Sequence, residues 1–291
     1  MTPRERMVLS LDGLSLGDAF GERFFGPPDE VAKRLAAREL PAGEWAWTDD
    51  TAMALSIVEV LEAHGQVDAD ALARAFARRY AQEPGRGYGG GARDVLLGIG
   101  LGTPWELAAG RVFDGQGSKG NGGAMRAAPV GAYFAPDLGR TVAEARRSAQ
   151  VTHAHEDGQA GAVAVAVAAA LVVNGVQGDA LLRSVLPHVP SGETRDGLAR
   201  ALEVPASTAP EAAAELLGSG RRVLSWDTVP FALWCAARHL DDFEEALWCT
   251  VAGLGDRDTT CAIVGSVVAL RVGRDGLPAS WLRHREALPR G

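Results

Sequence analysis

Apolar residues recur along this chain at spacings of three and four and seldom alternate strictly with polar ones. In 69–82, Leu72, Ala75, Phe76, Arg79 and Tyr80 fall at helical spacing behind Asp68, the period expected of an amphipathic helix with an acidic N-cap. The same pattern predicts helices over 4–23, 29–38, 49–63, 69–82, 90–98, 104–110, 122–133, 141–151, 156–173, 179–186, 194–202, 210–217, 228–239, 242–252, 258–271 and 279–286. Thr2-Pro3-Arg4-Glu5 has capping-box spacing with proline at the first helical position, and Thr103-Pro104-Trp105-Glu106, Thr141-Val142-Ala143-Glu144 and Thr208-Ala209-Pro210-Glu211 repeat the spacing. The strand-like exception, Ala-Val-Ala-Val-Ala-Val over 162–167, sits inside a long alanine-rich run without turn residues and is read as helix. Connections are short and marked by Gly, Pro and Asp, with no fixed-period repeat or low-complexity linker. The expectation is an all-α chain, a single compact orthogonal multi-helix domain over 1–291.

Composition narrows the function classes. With 291 residues and 47% hydrophobic content the chain can bury a sizeable core. A formal net charge of −8 argues against a general binder of nucleic-acid backbones, while leaving room for a local basic pocket around one phosphorylated ligand. Cys235, Cys249 and Cys261 lie far apart in apolar runs without CxxC or Cys/His zinc spacing, which reads as reduced and buried thiols. The charged start, Met1-Thr2-Pro3-Arg4-Glu5-Arg6, is unlike a signal peptide. The apolar run 160–173 is short for a membrane span and reads as a buried helix. A cytoplasmic monomer without a membrane anchor is expected.

Candidate chemistry concentrates in two oxygen-rich clusters, Thr48-Asp49-Asp50-Thr51 and Gly255-Asp256-Arg257-Asp258-Thr259-Thr260. Aspartate and threonine oxygens suit Mg²⁺ or Mn²⁺ rather than zinc or copper, and a fold that joined the clusters would make a two-metal site. Against this, acids in a first helical turn behind a threonine N-cap are ordinary. Trp45 and Trp47 crowd that cap, however, and an acid pair in an aromatic setting needs a counter-ion. Gly13, Gly17 and Gly21 share a helix face, for which tight packing beside an exposed Asp18 is the simpler reading. Five glycines between 115 and 123, with Ser118, Lys119 and Asn121 among them and Arg126 beyond, can offer backbone N–H groups to phosphate ahead of a helix N-terminus, although the order of a Walker loop is missing. His153 and His155 stand at a spacing that does not share a helix face, so His153 reads as structural or ligand-contacting, not as a metal ligand. Asp241-Asp242-Phe243-Glu244-Glu245 resembles the acidic run of all-α prenyl-diphosphate enzymes, but reads best as a helix capped by Asp241 or Asp242 with Phe243 and Leu247 inward.

Taken in order, Gly17-Asp18-Ala19-Phe20-Gly21, Trp47-Thr48-Asp49-Asp50-Thr51, Gly117-Ser118-Lys119-Gly120-Asn121-Gly122-Gly123-Ala124-Met125-Arg126, Thr152-His153 and Gly255-Asp256-Arg257-Asp258-Thr259 resemble the motifs of the ADP-ribosylhydrolases, the family of the dinitrogenase-reductase-activating glycohydrolase, over about residues 9–287. The resemblance implies a binuclear Mg²⁺ cleft, with Mn²⁺ an option. Its ligands would be Thr48, Asp49 and Asp50 in one group and Asp256, Asp258 and Thr259 in the other. Phe113, Gly117, Ser118, Lys119, Gly120 and Asn121 would hold the diphosphate and adenosine end of ADP-ribose, and His153 would line the cleft. The glycine-rich string looks closest to members that release ADP-ribose from serine or cleave O-acetyl-ADP-ribose and poly(ADP-ribose). Two positions depart from the pattern. Phe25 stands where many relatives carry a Glu near the scissile bond, leaving Glu22 as the nearest acid, and Arg257 replaces a small residue between the two acids. Arg257 can point away, pair with an acid or reach the substrate. The implied function is Mg²⁺-dependent hydrolysis at C1″ of ADP-ribose, with Asp49, Asp256 and Glu22 as catalytic carboxylates. The conjugate is an ADP-ribosylated protein or small molecule, and nucleic acid enters only as an ADP-ribosylated acceptor. The alternative is an ADP-ribose-binding regulatory protein that has lost catalysis.

Overall fold

The computed structural model describes residues 1–289. Its α-helices are α1 (Pro3–Glu22), α2 (Pro28–Ala37), α3 (Asp49–His64), α4 (Ala69–Gln82), α5 (Gly90–Gly100), α6 (Trp105–Arg111), α7 (Ala128–Phe134), α8 (Leu138–Gln150), α9 (Glu156–Val173), α10 (Ala180–Val185), α11 (Glu193–Ala201), α12 (Pro210–Leu217), α13 (Ser225–Arg238), α14 (Phe243–Ala252), α15 (Arg257–Val272) and α16 (Ala279–His284). Among the described residues there is no strand, only two isolated bridges, Trp45 with Arg285 and Gly120 with Leu224. The all-α expectation holds, including the alternating Ala-Val run, which lies wholly buried within α9.

Small side chains explain why α9 can be buried on every side. Neighbouring helices come close enough that a Cβ on Gly131 of α7 would fall 1.9 Å from the Ala166 carbonyl oxygen, and one on Gly161 would fall 2.1 Å from Ser225 Oγ. By length and composition α9 is apolar enough to cross a membrane, yet 83% of its apolar window is buried in the fold. Its apolar surface is thus already covered by protein.

The contact that positions the site is α1 on α15, the most extensive helix pair in the molecule. The stripe Gly13, Gly17, Gly21 faces α15 so closely that a Cβ at each would fall 2.3 Å from the Gly265 oxygen, 2.1 Å from the Cys261 oxygen and 2.2 Å from the Arg257 oxygen. Gly265 answers from the other side, its Cβ position 2.4 Å from the Gly13 oxygen. Backbone therefore meets backbone, and Asp18 is carried to the first turn of α15. The end of α1 is fixed by an aromatic cluster in which Phe20 stacks on Trp281 at 4.5 Å and meets Trp248 edge-on at 5.2 Å.

Several helix starts follow the expected chemistry. Glu5 N–H donates to Thr2 Oγ1 and Thr2 N–H to Glu5, a complete capping box. Asp68 accepts from Ala71 N–H, and Asp242 accepts from Glu245 N–H while Phe243 and Leu247 turn inward. Three expected caps are not made. Pro104 and Ala209 occupy the cap positions of α6 and α12, without side-chain bonds. Thr141 lies inside α8, which Asp137 caps instead, and its hydroxyl donates to the Phe134 carbonyl. The helix expected over 122–133 is also broken. Asn121–Gly123 form a single 3₁₀ turn and α7 begins only at Ala128, with Pro129 in its first turn, where proline needs no N–H donor. The three cysteines are free and buried, as expected.

Gly17→Ala is expected to destabilise the protein by roughly 1–3 kcal/mol because the methyl has only backbone to displace. Gly110→Ala, which meets nothing within 4 Å, is expected to be neutral or stabilising by up to about 1 kcal/mol. Thermal denaturation of the two variants checks the contrast.

Candidate active site

Three helix ends converge. Asp18 comes from α1, Asp49 and Asp50 from the first turn of α3, and Asp256, Asp258 and Thr259 from the start of α15. Asp18 is not exposed as the sequence suggested but fully buried. It accepts from Thr48 N–H at 2.9 Å, Thr48 Oγ1 at 2.8 Å, Thr51 N–H at 3.1 Å and the Thr51 hydroxyl. It thereby does from another helix much of the work of capping α3. The Thr48 hydroxyl faces Asp18, and Asp49 N–H donates to the Arg86 carbonyl at 2.7 Å. Asp49 and Asp50 are left to face a cleft of about 780 Å³, which Asp256, Asp258 and Thr259 also line.

The acids crowd one another. Asp18, Asp50 and Asp258 each bring a carboxylate oxygen within 4.8 Å of the other two. Asp50 accepts from Thr259 Oγ1 at 3.3 Å, but its Oδ2 and the Oδ1 of Asp258 are buried with no partner. Burial raises Asp18 to about 6 against the pull of its threonine donors, and burial with the charge of Asp18 raises Asp49 to about 7. Asp50 and Asp258 are pushed well above the carboxylate range, by burial first, then by Asp258 for the one and by Asp256 for the other. Buried acids at this spacing cannot all ionise without positive charge among them. Unpartnered hard oxygens with no nitrogen or sulfur donor in the group fit a hard divalent cation. Glu22, one turn beyond Asp18, is half-buried, and burial, then Asp18, raises its carboxyl. It does not line the cleft.

The opposite wall carries donors. Gly117 turns at φ 77 so tightly against the 153–155 segment that a Cβ would fall 2.7 Å from Ala154 Cβ. Within the loop Gly117 N–H donates to the Val112 carbonyl, Gly120 N–H to Ser118 Oγ and Asn121 N–H to the Val223 carbonyl. Among the described residues the N–H groups of Ser118, Lys119, Gly122 and Gly123 keep no such partner, so the free donors run from the loop into a 3₁₀ turn instead of the α-helix N-terminus the sequence suggested. Lys119 Nζ stands 3.8 Å from Glu193, and Asn121 Nδ2 donates to Asp256 at 2.7 Å and to Thr228 Oγ1 at 3.1 Å, linking wall to floor. Phe113, 59% exposed and at φ 54, lays its ring over Gly91 at the rim.

Beneath the loop a buried chain fixes the state of His153. Arg126 donates to Thr152 Oγ1 at 2.8 Å, and Thr152 Oγ1 lies 2.7 Å from His153 Nδ1. Arg126 takes one lone pair of the Thr152 hydroxyl, which favours that hydroxyl donating to Nδ1 and a neutral ring with its proton on Nε2. Nε2 faces the loop, 3.3 Å from a Cβ position on Gly120. Burial, then Arg126, lowers His153 to about 3, and burial lowers Arg126 to about 9.

Sequence reasoning quoted Asp18 but did not place it in the site, and it missed the segment Arg222, Val223, Leu224. Val223 sits at φ 56, a conformation that no sequence signal announces for a β-branched residue. A second glycine-rich run that also lines the cleft, Gly87 to Gly91, was visible in the sequence.

Against known proteins, residues 1–290 match the family model described as ADP-ribosylglycohydrolase. The chain belongs to the ADP-ribosylglycohydrolase family. It is therefore a hydrolase by family. The chain is 32% identical to human ADP-ribosylhydrolase ARH3, with 93% of this chain and 86% of that protein covered. It is 28% identical to the ADP-ribosylarginine hydrolase Tri1 of Pseudomonas putida (strain GB-1), with 97% and 75% covered. A solved structure titled ADP-ribosylglycohydrolase-related protein complex superposes with a TM-score of 0.71 at 26% identity, with 98% of this chain and 93% of that one covered. For this family member the geometry carries two expectations. Mg²⁺ or Mn²⁺ at a hundredfold excess over Kd is expected to stabilise the fold by about 2.7 kcal/mol, and Asp258→Asn to lose that gain in thermal melts. A melting temperature indifferent to either cation tells against the centre. The second concerns His153. In the unfolded chain histidine protonates near its ordinary pKa of about 6.5. Held neutral in the fold, His153 costs nothing above that pH and progressively destabilises as pH falls toward about 3. Imidazole-nitrogen NMR is expected to show a neutral Nε2–H ring at about pH 5, and Thr152→Val to lose that tautomer preference.

Proposed function

We propose that the chain hydrolyses the bond between C1″ of ADP-ribose and its acceptor, releasing ADP-ribose from a modified protein side chain or small molecule in a Mg²⁺-dependent reaction. The observation that carries this reading is the pairing of two opposite poles in one cleft: a cation-demanding floor of aspartates and a wall of hydrogen-bond donors with Lys119 and Arg222 among its lining residues. Such a cleft suits a ligand with a diphosphate at one end and ribose hydroxyls at the other. The names of the relatives, ADP-ribosylhydrolase and ADP-ribosylarginine hydrolase, support the same substrate class. We also read the chain as one domain, supported by the family match over residues 1–290 and a single continuous core.

In this reading two Mg²⁺ ions would be held by Asp49, Asp50, Asp256 and Asp258 with Thr48 and Thr259, and Asp18 would brace the centre. When bound, they supply Lewis-acid stabilisation of ribose and water oxygens. The chain's own residues do the rest. Ser118 and Lys119 N–H groups and His153 Nε2–H hold the diphosphate, and Phe113 offers a rim platform for adenine. Asn121 keeps Asp256 oriented toward the cleft. Positive charge developing at C1″ is stabilised by the aspartates. We assign the proton from water to Glu22, whose carboxyl is raised and which stands one turn beyond Asp18, behind the residues that line the cleft.

Asp49→Asn and Asp256→Asn are expected to lower kcat for ADP-ribose release by about a hundredfold or more with the fold retained, and Glu22→Gln by about a hundredfold. EDTA is expected to abolish turnover. Full activity in both aspartate variants, or turnover indifferent to EDTA, rejects the reading. Tight ADP-ribose binding without turnover on serine-, arginine- or acetyl-linked substrates makes the protein a binder instead.

A further inference from the structure

The first acid group is gripped from outside the cleft as well as by Asp18. In Arg86, in the turn between α4 and α5, all five guanidinium N–H groups have partners. Nη1 donates to the Trp47 carbonyl at 3.0 Å and to Glu286 at 2.7 Å. Nη2 donates to Glu286 at 2.7 Å and to Glu83 at 2.6 Å, and Nε to Glu83 at 3.1 Å. The guanidinium carbon lies 3.4 Å over the ring of Trp47. The main-chain carbonyl of the same residue accepts from Asp49 N–H at 2.7 Å. Arg86 therefore holds the chain on both sides of Thr48, by its side chain at Trp47 and by its carbonyl at Asp49, while Asp18 holds Thr48 itself. Gly87 closes over the same point. It turns at φ 96, and a Cβ there would fall 3.4 Å from Asp49 Oδ1 and 3.9 Å from Thr48 Cβ. Glu286 is fixed in turn by the main chain. Its N–H donates to the Trp45 carbonyl at 2.8 Å, and Trp45 N–H donates to the His284 carbonyl at 2.7 Å. Gly87 and Asp49 line the cleft, whereas Arg86 and Glu286 do not.

An arginine between two glutamates is most simply a structural ion pair, and such pairs near the surface contribute little. Two features set Arg86 apart. Its planar fork is fully occupied and stacked on an aromatic face, so the position of its backbone is strongly determined. That backbone bonds directly to a candidate metal ligand, and any shift of the 86–87 turn carries Asp49 with it. Asp50 has hydroxyl partners of its own in Thr48 and Thr259, and Asp256 and Asp258 stand at the start of another helix. The grip thus falls on Asp49 in particular. We propose that Arg86 is a positioning residue of the cation centre: with Glu286 and Trp47 it clamps the peptide around Thr48 and aims the Asp49 carboxylate into the cleft. This rests on the metal-dependent reading above. Loss of an outer partner of a metal ligand typically lowers metal affinity by about 10–100-fold. With one ligand of several affected, the expected result is a weakened centre rather than an abolished one.

The test measures Mn²⁺ affinity of the full chain without substrate, by calorimetry and electron paramagnetic resonance. Arg86→Gln is expected to weaken Mn²⁺ binding by about tenfold or more. Glu286→Gln is expected to weaken it less, since Glu83 and the Trp47 carbonyl still hold the fork. Arg86→Lys, which keeps the charge but not the planar fork, is expected to retain part of the affinity. Turnover lost in Arg86→Gln is expected to recover as Mn²⁺ is raised, which a general loss of folding would not allow. Arg38→Gln is the control. It removes a bidentate pair of the same kind, with Glu245 at 2.6 and 2.8 Å, and is expected to leave Mn²⁺ affinity unchanged. Where Arg86→Gln fails to fold, Arg86→Lys and Glu286→Gln carry the same comparison. Unchanged affinity in the Arg86 and Glu286 variants, or equal weakening in Arg38→Gln, overturns the proposal and leaves the hydrolase reading intact. A wild-type chain that binds no Mn²⁺ overturns the metal reading instead. Amide hydrogen exchange then decides the clamp. Asp49 N–H exchanging about tenfold faster in Arg86→Gln, and not in Arg38→Gln, supports it, and an unchanged rate rejects it.

Discussion

The site depends on α1 lying backbone to backbone on α15. Any side chain at Gly13, Gly17 or Gly21 would collide with the carbonyl oxygens of Gly265, Cys261 or Arg257, so the register between the two helices is set by three absent side chains. That register decides which residue of α1 meets the first turn of α15, and it is Asp18. The helices belong to opposite ends of the chain, and the contact is what converts two separate acidic clusters into one. Aromatic stacking of Phe20 on Trp281 locks the end of α1, so the register has little freedom to slip.

Once Asp18 is there, it alters the meaning of its neighbours. Acids in a first helical turn ordinarily serve the helix itself, by capping it or by opposing its dipole. Here the donors at the start of α3 are met by a carboxylate from α1, by the Arg86 carbonyl and, at Asp50 N–H, by the hydroxyl of the expected N-cap Thr48. Asp49 and Asp50 are relieved of local duty and turned toward the cleft. The cost is a set of buried acids with raised pKa values and two orphaned oxygens. Destabilisation of that kind persists where function requires it.

Much of this was legible in the sequence, and the exceptions have physical causes. Nearly every helix was visible because a 3.6-residue period survives when one face is buried, and even the Ala-Val run of α9 betrayed itself by its lack of turn residues. The acid clusters and the glycine-rich loop announced themselves by residue type. The burial of Asp18 did not, because exposure is decided by what packs over a residue, and its cover comes from α3 and α15. The break after Asn121 was missed because Ala124-Met125-Arg126 favour helix locally, while Arg126 is pulled beneath the loop to reach the Gly122 carbonyl and Thr152. The caps at Thr103, Thr141 and Thr208 failed for the usual reason that spacing alone does not select which candidate side chain reaches the free N–H groups. Val223 shows the limit most plainly, since nothing in a β-branched residue predicts a left-handed backbone.

Arg126 explains how one cleft sustains two opposite poles. It is a fully buried cation that bonds carbonyls, a hydroxyl and a thioether, and no carboxylate. Its charge, unscreened in a low-dielectric interior, favours ionisation of Asp49 on one side and opposes protonation of His153 on the other. Burial is the larger cause at both residues, and the guanidinium offsets it in part at Asp49 and adds to it at His153. Both effects travel through protein rather than solvent, so neither requires the ligand to be present first. The cleft is polarised before anything enters it: burial and mutual repulsion load the acidic floor, and burial with Arg126 keeps His153 on the wall neutral.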